Sequence, residues 1–67
     1  MRVAVNGEER DLAEGALAAL LRELGVDSVR PGVAVAVNGE VVARAGWDAR
    51  ELRDGDQVEV LTAVQGG

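Results

Sequence analysis

The 67-residue chain contains no cysteine, no histidine and no lysine, and a single tryptophan is its only aromatic residue. Without cysteine it can form neither a disulfide nor a thiolate, which excludes a persulfide or thiol carrier built on its own side chains. Without histidine it lacks the commonest general base and a common metal ligand. An enzyme that uses the usual pairs of nucleophile and base is therefore the weakest interpretation of the sequence.

Positive charge is also scarce. Twelve acidic residues stand against seven arginines, for a formal net charge of -5, and the arginines are scattered along the chain. Nucleic-acid-binding proteins normally carry clustered basic residues, so the sequence predicts no nucleic-acid partner. The acidic balance favours solubility, with electrostatic steering toward a basic partner surface as the functional alternative.

The first residues, Met1–Val5, are too few and too soon followed by polar residues to form a signal sequence or a membrane span. Together with the absence of cysteine, this predicts a cytoplasmic protein that makes no contact with a membrane.

The apolar residues follow two different periods along the chain. Strands are predicted over residues 1–6, 8–12, 33–37, 40–43 and 57–63. Alternation indicates the first and the last of them, the hairpin turns indicate those at 8–12 and 40–43, and residues 33–37 form a near-continuous apolar run typical of a buried central strand. The pairs Asn6-Gly7 and Asn38-Gly39 are typical of tight type I′ hairpin turns. Residues 45–52 have no regular pattern and are predicted to be irregular.

Between the second and third strands the period changes, and the pattern predicts a helix over residues 16–24. Four leucines fall at i, i+3, i+4 and i+7 and so share one helix face: Leu17, Leu20, Leu21 and Leu24. Glu14 lies near the predicted helix start, where negative charge suits the helix dipole. Gly25 is placed to end the helix in the left-handed conformation.

The predicted fold is α+β, a β-grasp in which one main helix packs on one face of a mixed sheet. The domain is predicted to cover residues 1–63, and residues 64–67 to form a flexible C-terminal tail.

The tail carries the chemistry that the rest of the chain lacks. No charged side chain follows Glu59, and the tail reads Val64-Gln65-Gly66-Gly67. Because glycine has no side chain and wide backbone freedom, such a tail can thread a narrow channel into another protein's active site. The reactive group it would deliver is the Gly67 carboxylate, which ATP can convert to an acyl-adenylate open to attack by sulfur. A frayed chain end is the alternative.

Several segments resemble the ThiS family. They are Asn6-Gly7-Glu8, residues 35–42 (VAVNGEVV), Asp54-Gly55-Asp56, the region of Trp47, and the ending Ala63-Val64-Gln65-Gly66-Gly67. The turns are generic, whereas the middle block and the ending together are specific. The resemblance extends over the whole chain.

This resemblance implies a ubiquitin-like fold and a role as a sulfur carrier in forming the thiazole ring of thiamine. It implies that a ThiF-type, E1-like enzyme adenylates Gly67 with ATP and magnesium, while the carrier itself binds no cofactor. A cysteine of a sulfur-relay protein would then turn the carboxylate into a thiocarboxylate, and the thiazole synthase ThiG would take the sulfur. Gly66, with Gln65 and Val64, would provide the slender approach to the partners' active sites.

The sheet face opposite the inward valines is expected to be a docking surface for these partners. It should present Ala4, Ala34, Ala36, Leu61 and Ala63, which are small or apolar. An ordinary half-covered sheet face is the alternative.

Two other features are predicted to be structural. Trp47 should pin the irregular segment onto the domain edge, with a partner contact as the alternative. The neighbouring acids Glu8 and Glu9, and Asp54 and Asp56, are explained by turn chemistry better than by a metal site.

Three alternatives to a thiamine carrier remain open. A related carrier could feed molybdopterin synthesis, tRNA thiolation or cysteine synthesis through the same chemistry at Gly67. A protein modifier could form isopeptide bonds through Gly67, although a chain without lysine could not build lysine-linked chains of itself. An interaction module with an inert tail is the third.

Overall fold

The structure is a computed structural model, and it describes residues 1–26 and 32–62. The elements follow the predicted order, with each described end within two residues of its expected position. They are β1 (Arg2–Val5), β2 (Glu8–Asp11), α1 (Leu17–Glu23), β3 (Val33–Val37), β4 (Glu40–Val42), a short 3₁₀ helix (Arg44–Gly46) and β5 (Gln57–Thr62). In the described part of the chain, no helix is both long and apolar enough to cross a membrane.

The five strands form one mixed sheet in the order β2-β1-β5-β3-β4. β5 runs parallel to β1 and antiparallel to β3, while the two hairpin pairs are antiparallel. The last strand therefore inserts at the centre of the sheet, between the two hairpins. This arrangement, with one helix against the sheet, is the ubiquitin-like β-grasp and confirms the predicted fold class.

Both hairpin turns have the predicted backbone conformation. Asn6 and Gly7 have φ angles of 50° and 85°, and Asn38 and Gly39 have φ angles of 52° and 83°. A type I′ turn requires positive φ at both central positions, and asparagine followed by glycine is the pair that accepts this most readily. The tight turns fix the register of each hairpin.

The helix ends as predicted. Gly25 has a φ of 77°, its amide donates to the Arg22 carbonyl at 3.1 Å, and the Val26 amide donates to the Leu21 carbonyl at 2.8 Å. These two bonds form a Schellman motif, in which glycine takes the left-handed position.

The helix begins one residue later than predicted, at Leu17, and Glu14 precedes its first turn. Ala16 is extended (φ -85°, ψ 133°), and the first helical turn contains no acidic residue. The reason is a contact distant in sequence: Ala16 forms a β-bridge with Glu51, and the Leu17 amide donates to the Arg50 carbonyl at 3.0 Å. A neighbouring backbone segment thus satisfies the first helical amide, which in many helices is done by a capping side chain.

The core lies between the helix and the inward face of the sheet. Leu17, Leu20 and Leu21 of α1 are buried as predicted, and Leu24 at its C-cap is partly buried. The valines of β1, β3 and β5 alternate toward this face. The buried members are Val3, Val5, Leu12, Leu17, Leu20, Leu21, Val35, Val37, Trp47, Leu52 and Val58. The other sheet face is consequently left without a covering layer in the described structure.

Candidate functional site

β5, the strand that leads toward the C-terminal tail, is bonded on both sides. On the β1 side, the amides of Ala4 and Asn6 donate to the carbonyls of Asp56 and Val58 at 3.0 and 2.9 Å. β1 ends there, but the Asn6 side chain continues the ladder. Its Nδ2 donates to the Val60 carbonyl at 3.1 Å, and its Oδ1 accepts from the Val60 amide at 2.9 Å. The turn residue therefore adds one more rung to the parallel pairing.

Asn38, the corresponding residue of the second hairpin, binds the opposite end of β5. Its amide donates to the Gln57 carbonyl at 2.7 Å, and its Oδ1 accepts from the Gln57 amide at 2.9 Å. Its Nδ2 donates to Asp56 Oδ1 at 3.0 Å. Both hairpin asparagines thus serve two purposes: they accept the turn conformation, and their carboxamides hold the last strand.

The acidic turn before β5 is structural, as predicted. Asp56 Oδ2 accepts from the Arg53 amide at 2.8 Å, and Asp54 Oδ1 accepts from the Arg2 amide at 2.7 Å. The hydrogen bond from Asn38, followed by that from the Arg53 backbone, lowers the pKa of the Asp56 carboxyl. Within residues 1–26 and 32–62, no group of three potential acidic ligands is placed to hold a metal ion.

The predicted reactive tail lies outside the described residues. This applies to Gly67, Gly66, Gln65 and Val64, to Ala63, and to the predicted boundary between domain and tail. The structure does fix where the approach to the tail begins: Thr62 pairs with Val33 at the end of the β3–β5 ladder. These site assignments remain predictions.

The predicted docking residues that are described do share one sheet face. In the β3–β5 register Ala34 lies opposite Leu61, and Leu61 is 66% exposed. Ala36 and Ala4 are half-buried on the same side, because the alternate residues Val3, Val5, Val35 and Val37 point into the core. We call this surface the open sheet face.

The predicted docking residues did not include two residues of the open sheet face on β4 and β5. Val41 of β4 is 80% exposed and lies opposite Ala36. Glu59 of β5 is exposed and lies opposite Ala36 on the other side. Alternation along each strand could have indicated that both side chains face outward. Val41 follows the turn by two residues, and Glu59 lies between inward Val58 and Val60.

The open sheet face has two halves of different character. On β1 and β2, Arg2 Nε lies 3.0 Å from Asp11 and Arg2 Nη1 lies 3.7 Å from Glu9. The hydrogen bond from Arg2 lowers the pKa of the Asp11 carboxyl. On β5, β3 and β4 the face is made of Leu61, the alanines and Val41, with Glu59 among them and exposed Gln57 at the start of β5. The apolar half is thus the half that includes the strand leading to the tail.

Trp47 has the structural role that was predicted. It is 2% exposed, and its Nε1 donates to the Val42 carbonyl at 2.9 Å. The Arg44 guanidinium lies 4.7 Å from the centre of its ring, a cation–π distance. The side chain therefore ties the connection after β4 to the core.

Comparison with known proteins gives a consistent result. The model of the ThiS family matches residues 3–67. A sulfur carrier protein ThiS of Thermus thermophilus is 45% identical over 65 residues, covering 97% of this chain and 98% of that protein. The ThiS of Escherichia coli is 31% identical over 68 residues, covering the whole of both chains.

A longer protein also contains a similar segment. A thiazole synthase of Paramagnetospirillum magneticum is 41% identical over 68 residues, which include all of this chain but only 20% of that protein. This chain therefore spans about a fifth of the length of that relative.

Solved structures show the same fold. The crystal structure of a thiamine biosynthesis protein (ThiS) from Geobacter metallireducens superposes with a TM-score of 0.79 at 38% identity, over the whole of both chains. A solution structure of a thiamine biosynthesis protein from that organism gives a TM-score of 0.80 at 40% identity, over all of this chain and 88% of the other. By sequence and by fold, the chain belongs to the ThiS family, the sulfur carrier proteins of thiamine biosynthesis.

Proposed function

We propose that the chain acts as a protein cosubstrate whose Gly67 carboxylate is adenylated and then converted to a thiocarboxylate that supplies the sulfur of the thiazole ring. The observation that carries this proposal is the position of β5. It is the central strand of the sheet, is bonded on both sides and leads directly toward the Gly66-Gly67 ending of a chain that aligns with sulfur carriers over its whole length.

The proposed chemistry proceeds in two stages. A Gly67 oxygen attacks the α-phosphate of ATP, the bond to the β-phosphate breaks, and pyrophosphate leaves. The terminal sulfur of a persulfide on a relay protein then attacks the acyl carbon, and AMP leaves. A second thiol then attacks the relay cysteine sulfur of the resulting acyl disulfide. The new sulfur stays on Gly67 as a thiocarboxylate, and the relay cysteine and the second thiol are left joined by a disulfide.

The composition of this chain indicates which chemical groups its partners must supply. It has no cysteine or histidine, so the relay sulfur and the acid–base groups belong to its partners. A ThiF-type enzyme brings ATP and magnesium, and the carrier holds no cofactor of its own. The carrier contributes a thin acyl terminus on a rigid domain, which orients the reacting carboxylate once the domain has docked. Such a cycle belongs in the cytoplasm.

The open sheet face is the proposed docking surface for the ThiF-type enzyme and for the thiazole synthase. Its apolar half includes Leu61 and Val41, which are large and mostly exposed. Exposed apolar patches of this kind are typical of protein contact sites. The segment similar to this chain in a thiazole synthase supports an acceptor of that class.

The experiment that tests the proposal is an intact mass measurement. The protein is incubated with ATP, magnesium, a ThiF-type enzyme and a persulfide donor, beside a variant that lacks Gly67. We expect a mass gain equal to the exchange of one oxygen for one sulfur. The variant should gain mass about a hundredfold more slowly, so that no gain is seen in it at the time when the unchanged protein has just been converted.

An unchanged mass, with the enzyme shown to act on another carrier, would overturn the proposed activity. Adducts to other proteins that survive thiol reductant would instead show isopeptide formation through Gly67.

A further inference from the structure

Glu59 is an acidic residue in the apolar half of the open sheet face. It is exposed on β5, and its cross-strand neighbour in β3 is Ala36. Leu61 is the next outward residue on the same strand. The Cβ atoms of directly opposite residues in a sheet lie about 5 Å apart, so the Glu59 side chain leaves the face beside the Ala36 methyl group.

No cation in the described structure neutralises this carboxylate. The ion pairs in residues 1–26 and 32–62 are Arg2 with Glu9 and Asp11, and Arg10 with Glu23. Arg2 belongs to the charged half of the face and is occupied by Asp11 and Glu9. Glu59 is therefore the charge that a partner would meet inside the apolar half.

We propose that Glu59 pairs with an arginine or lysine of the activating enzyme and fixes the orientation in which the carrier docks. The inference rests on the proposed function, because it assumes that this face docks during adenylation of Gly67. Burying an unpaired carboxylate in an apolar interface is costly, and a cation of the partner that covers the face would offset that cost.

The net charge of the carrier favours the activating enzyme as the occupant. That enzyme must bring the Gly67 carboxylate against the triphosphate of ATP, and both groups are anionic. Positive charge around the entrance to its active site would offset this repulsion, and the carrier's net charge of -5 would be attracted to it.

The test compares Glu59→Arg and Glu59→Gln with a matched control, Glu14→Arg. Glu14 is also exposed but precedes the helix and lies outside the sheet. Because both variants replace a glutamate by an arginine, they change the net charge equally. The dissociation constant for the cognate ThiF-type enzyme and the rate of ATP–pyrophosphate exchange are measured at low and high salt. Circular dichroism confirms that each variant is folded.

We expect Glu59→Arg to weaken binding by about tenfold or more, since it places like charges together. Glu59→Gln should weaken it by about threefold, and Glu14→Arg should bind almost as the unchanged protein does. The advantage of the unchanged protein over Glu59→Gln should shrink as the salt concentration rises, because salt screens the attraction.

Equal loss in Glu59→Arg and Glu14→Arg would overturn the proposal, because it would show an effect of net charge alone. Tighter binding by Glu59→Gln would also overturn it, because it would show an apolar partner surface opposite Glu59. These results can be separated from those that test the proposed function. An unchanged protein that binds the enzyme but is not adenylated would contradict the proposed function. The order of the variants' dissociation constants would still decide the role of Glu59. No binding by any of the four proteins would contradict both.

Discussion

Trp47 stabilises the connection between β4 and β5 by three separate contacts. The side chain is almost fully buried, its Nε1 donates to the Val42 carbonyl, and its ring lies beneath the Arg44 guanidinium. Trp47→Phe keeps most of the packing but leaves the Val42 carbonyl without its donor. We expect it to lower the free energy of unfolding by about 1–3 kcal/mol.

Urea unfolding followed by far-UV circular dichroism measures this change, since the variant has no tryptophan for fluorescence. Trp47→Ala should lower the free energy of unfolding by about 3–5 kcal/mol, as large core truncations do. Leu61→Ala is the control at an exposed site and should be nearly neutral. A Trp47→Phe protein as stable as the unchanged one would contradict the role of the hydrogen bond.

Asp56 predicts a dependence of stability on pH. Its pKa is lowered, mainly by the Asn38 side chain and then by the Arg53 amide, so the unfolded chain binds a proton more readily than the folded one. The stabilisation is therefore complete above about pH 4 and is lost as the pH falls through the lower pKa of the folded state. Asp56→Asn should be less stable at neutral pH and should lose less stability on acidification.

Unfolding in urea at neutral pH and across the acidic range tests this prediction. Asp48→Asn, at an exposed carboxylate, should follow the unchanged protein. Asp11, whose pKa is lowered by Arg2, remains in all three proteins, so part of the acid dependence will persist. Parallel curves for Asp56→Asn and the unchanged protein would show that the Asp56 bonds contribute nothing.

At the scale of elements, the last strand depends on a side chain from the first hairpin. Asn6→Gly retains a residue that accepts positive φ, so the turn is kept while both bonds to Val60 are lost. We expect the free energy of unfolding to fall by about 1–2 kcal/mol. The Val60 amide should also exchange its hydrogen faster with solvent, because the Asn6 side chain that protects it by a hydrogen bond is gone.

Asn38→Gly is the matched control, because it removes the same kind of side chain from the other hairpin. It should expose the Gln57 amide, which bonds Asn38 Oδ1, and leave the Val60 amide protected. Hydrogen exchange measured residue by residue distinguishes the two variants. Equal protection of Val60 in both would mean that its bonds to Asn6 are not formed in solution.

The elements themselves could be predicted from the sequence because their signals are local. Strand alternation, the leucine spacing and the two asparagine–glycine turns each depend on residues close in the chain. The pattern placed the helix start to within one residue, but not the extended conformation of Ala16, which pairs with Glu51. The bond between Asn6 and Val60 joins residues 54 positions apart, and a turn motif gives no sign of it.

At the scale of the whole molecule, the stable fold and the proposed chemistry occupy different parts of the chain. The core cluster extends from Val3 to Val58, whereas the proposed reactive group is on Gly67. The sequence motif predicted the tail, while the structure added Val41 and Glu59 to the open sheet face. Those two could have been located by alternation, but only the sheet order shows that they flank Ala36.

This separation predicts that the tail can be shortened without unfolding the domain. Removing Gly66 and Gly67 together should change the free energy of unfolding by less than about 0.5 kcal/mol, as for surface changes away from packed groups. It should also abolish the conversion to a thiocarboxylate. Urea unfolding and intact mass measure the two effects, and a destabilised variant would mean that the tail contributes to the fold.

Removing Gly67 alone tests whether the length of the tail sets the position of the reacting carboxylate once the domain has docked. The variant still ends in a carboxylate, that of Gly66, but its reach is shorter by about 3.5 Å. Because a misplacement of about 1 Å can cost a hundredfold in rate, ATP–pyrophosphate exchange should fall by about a hundredfold or more. Binding through the open sheet face should remain within a few-fold of the unchanged protein. Exchange at the unchanged rate would show that any terminal glycine suffices, and that the domain does not set the position of the reacting carboxylate.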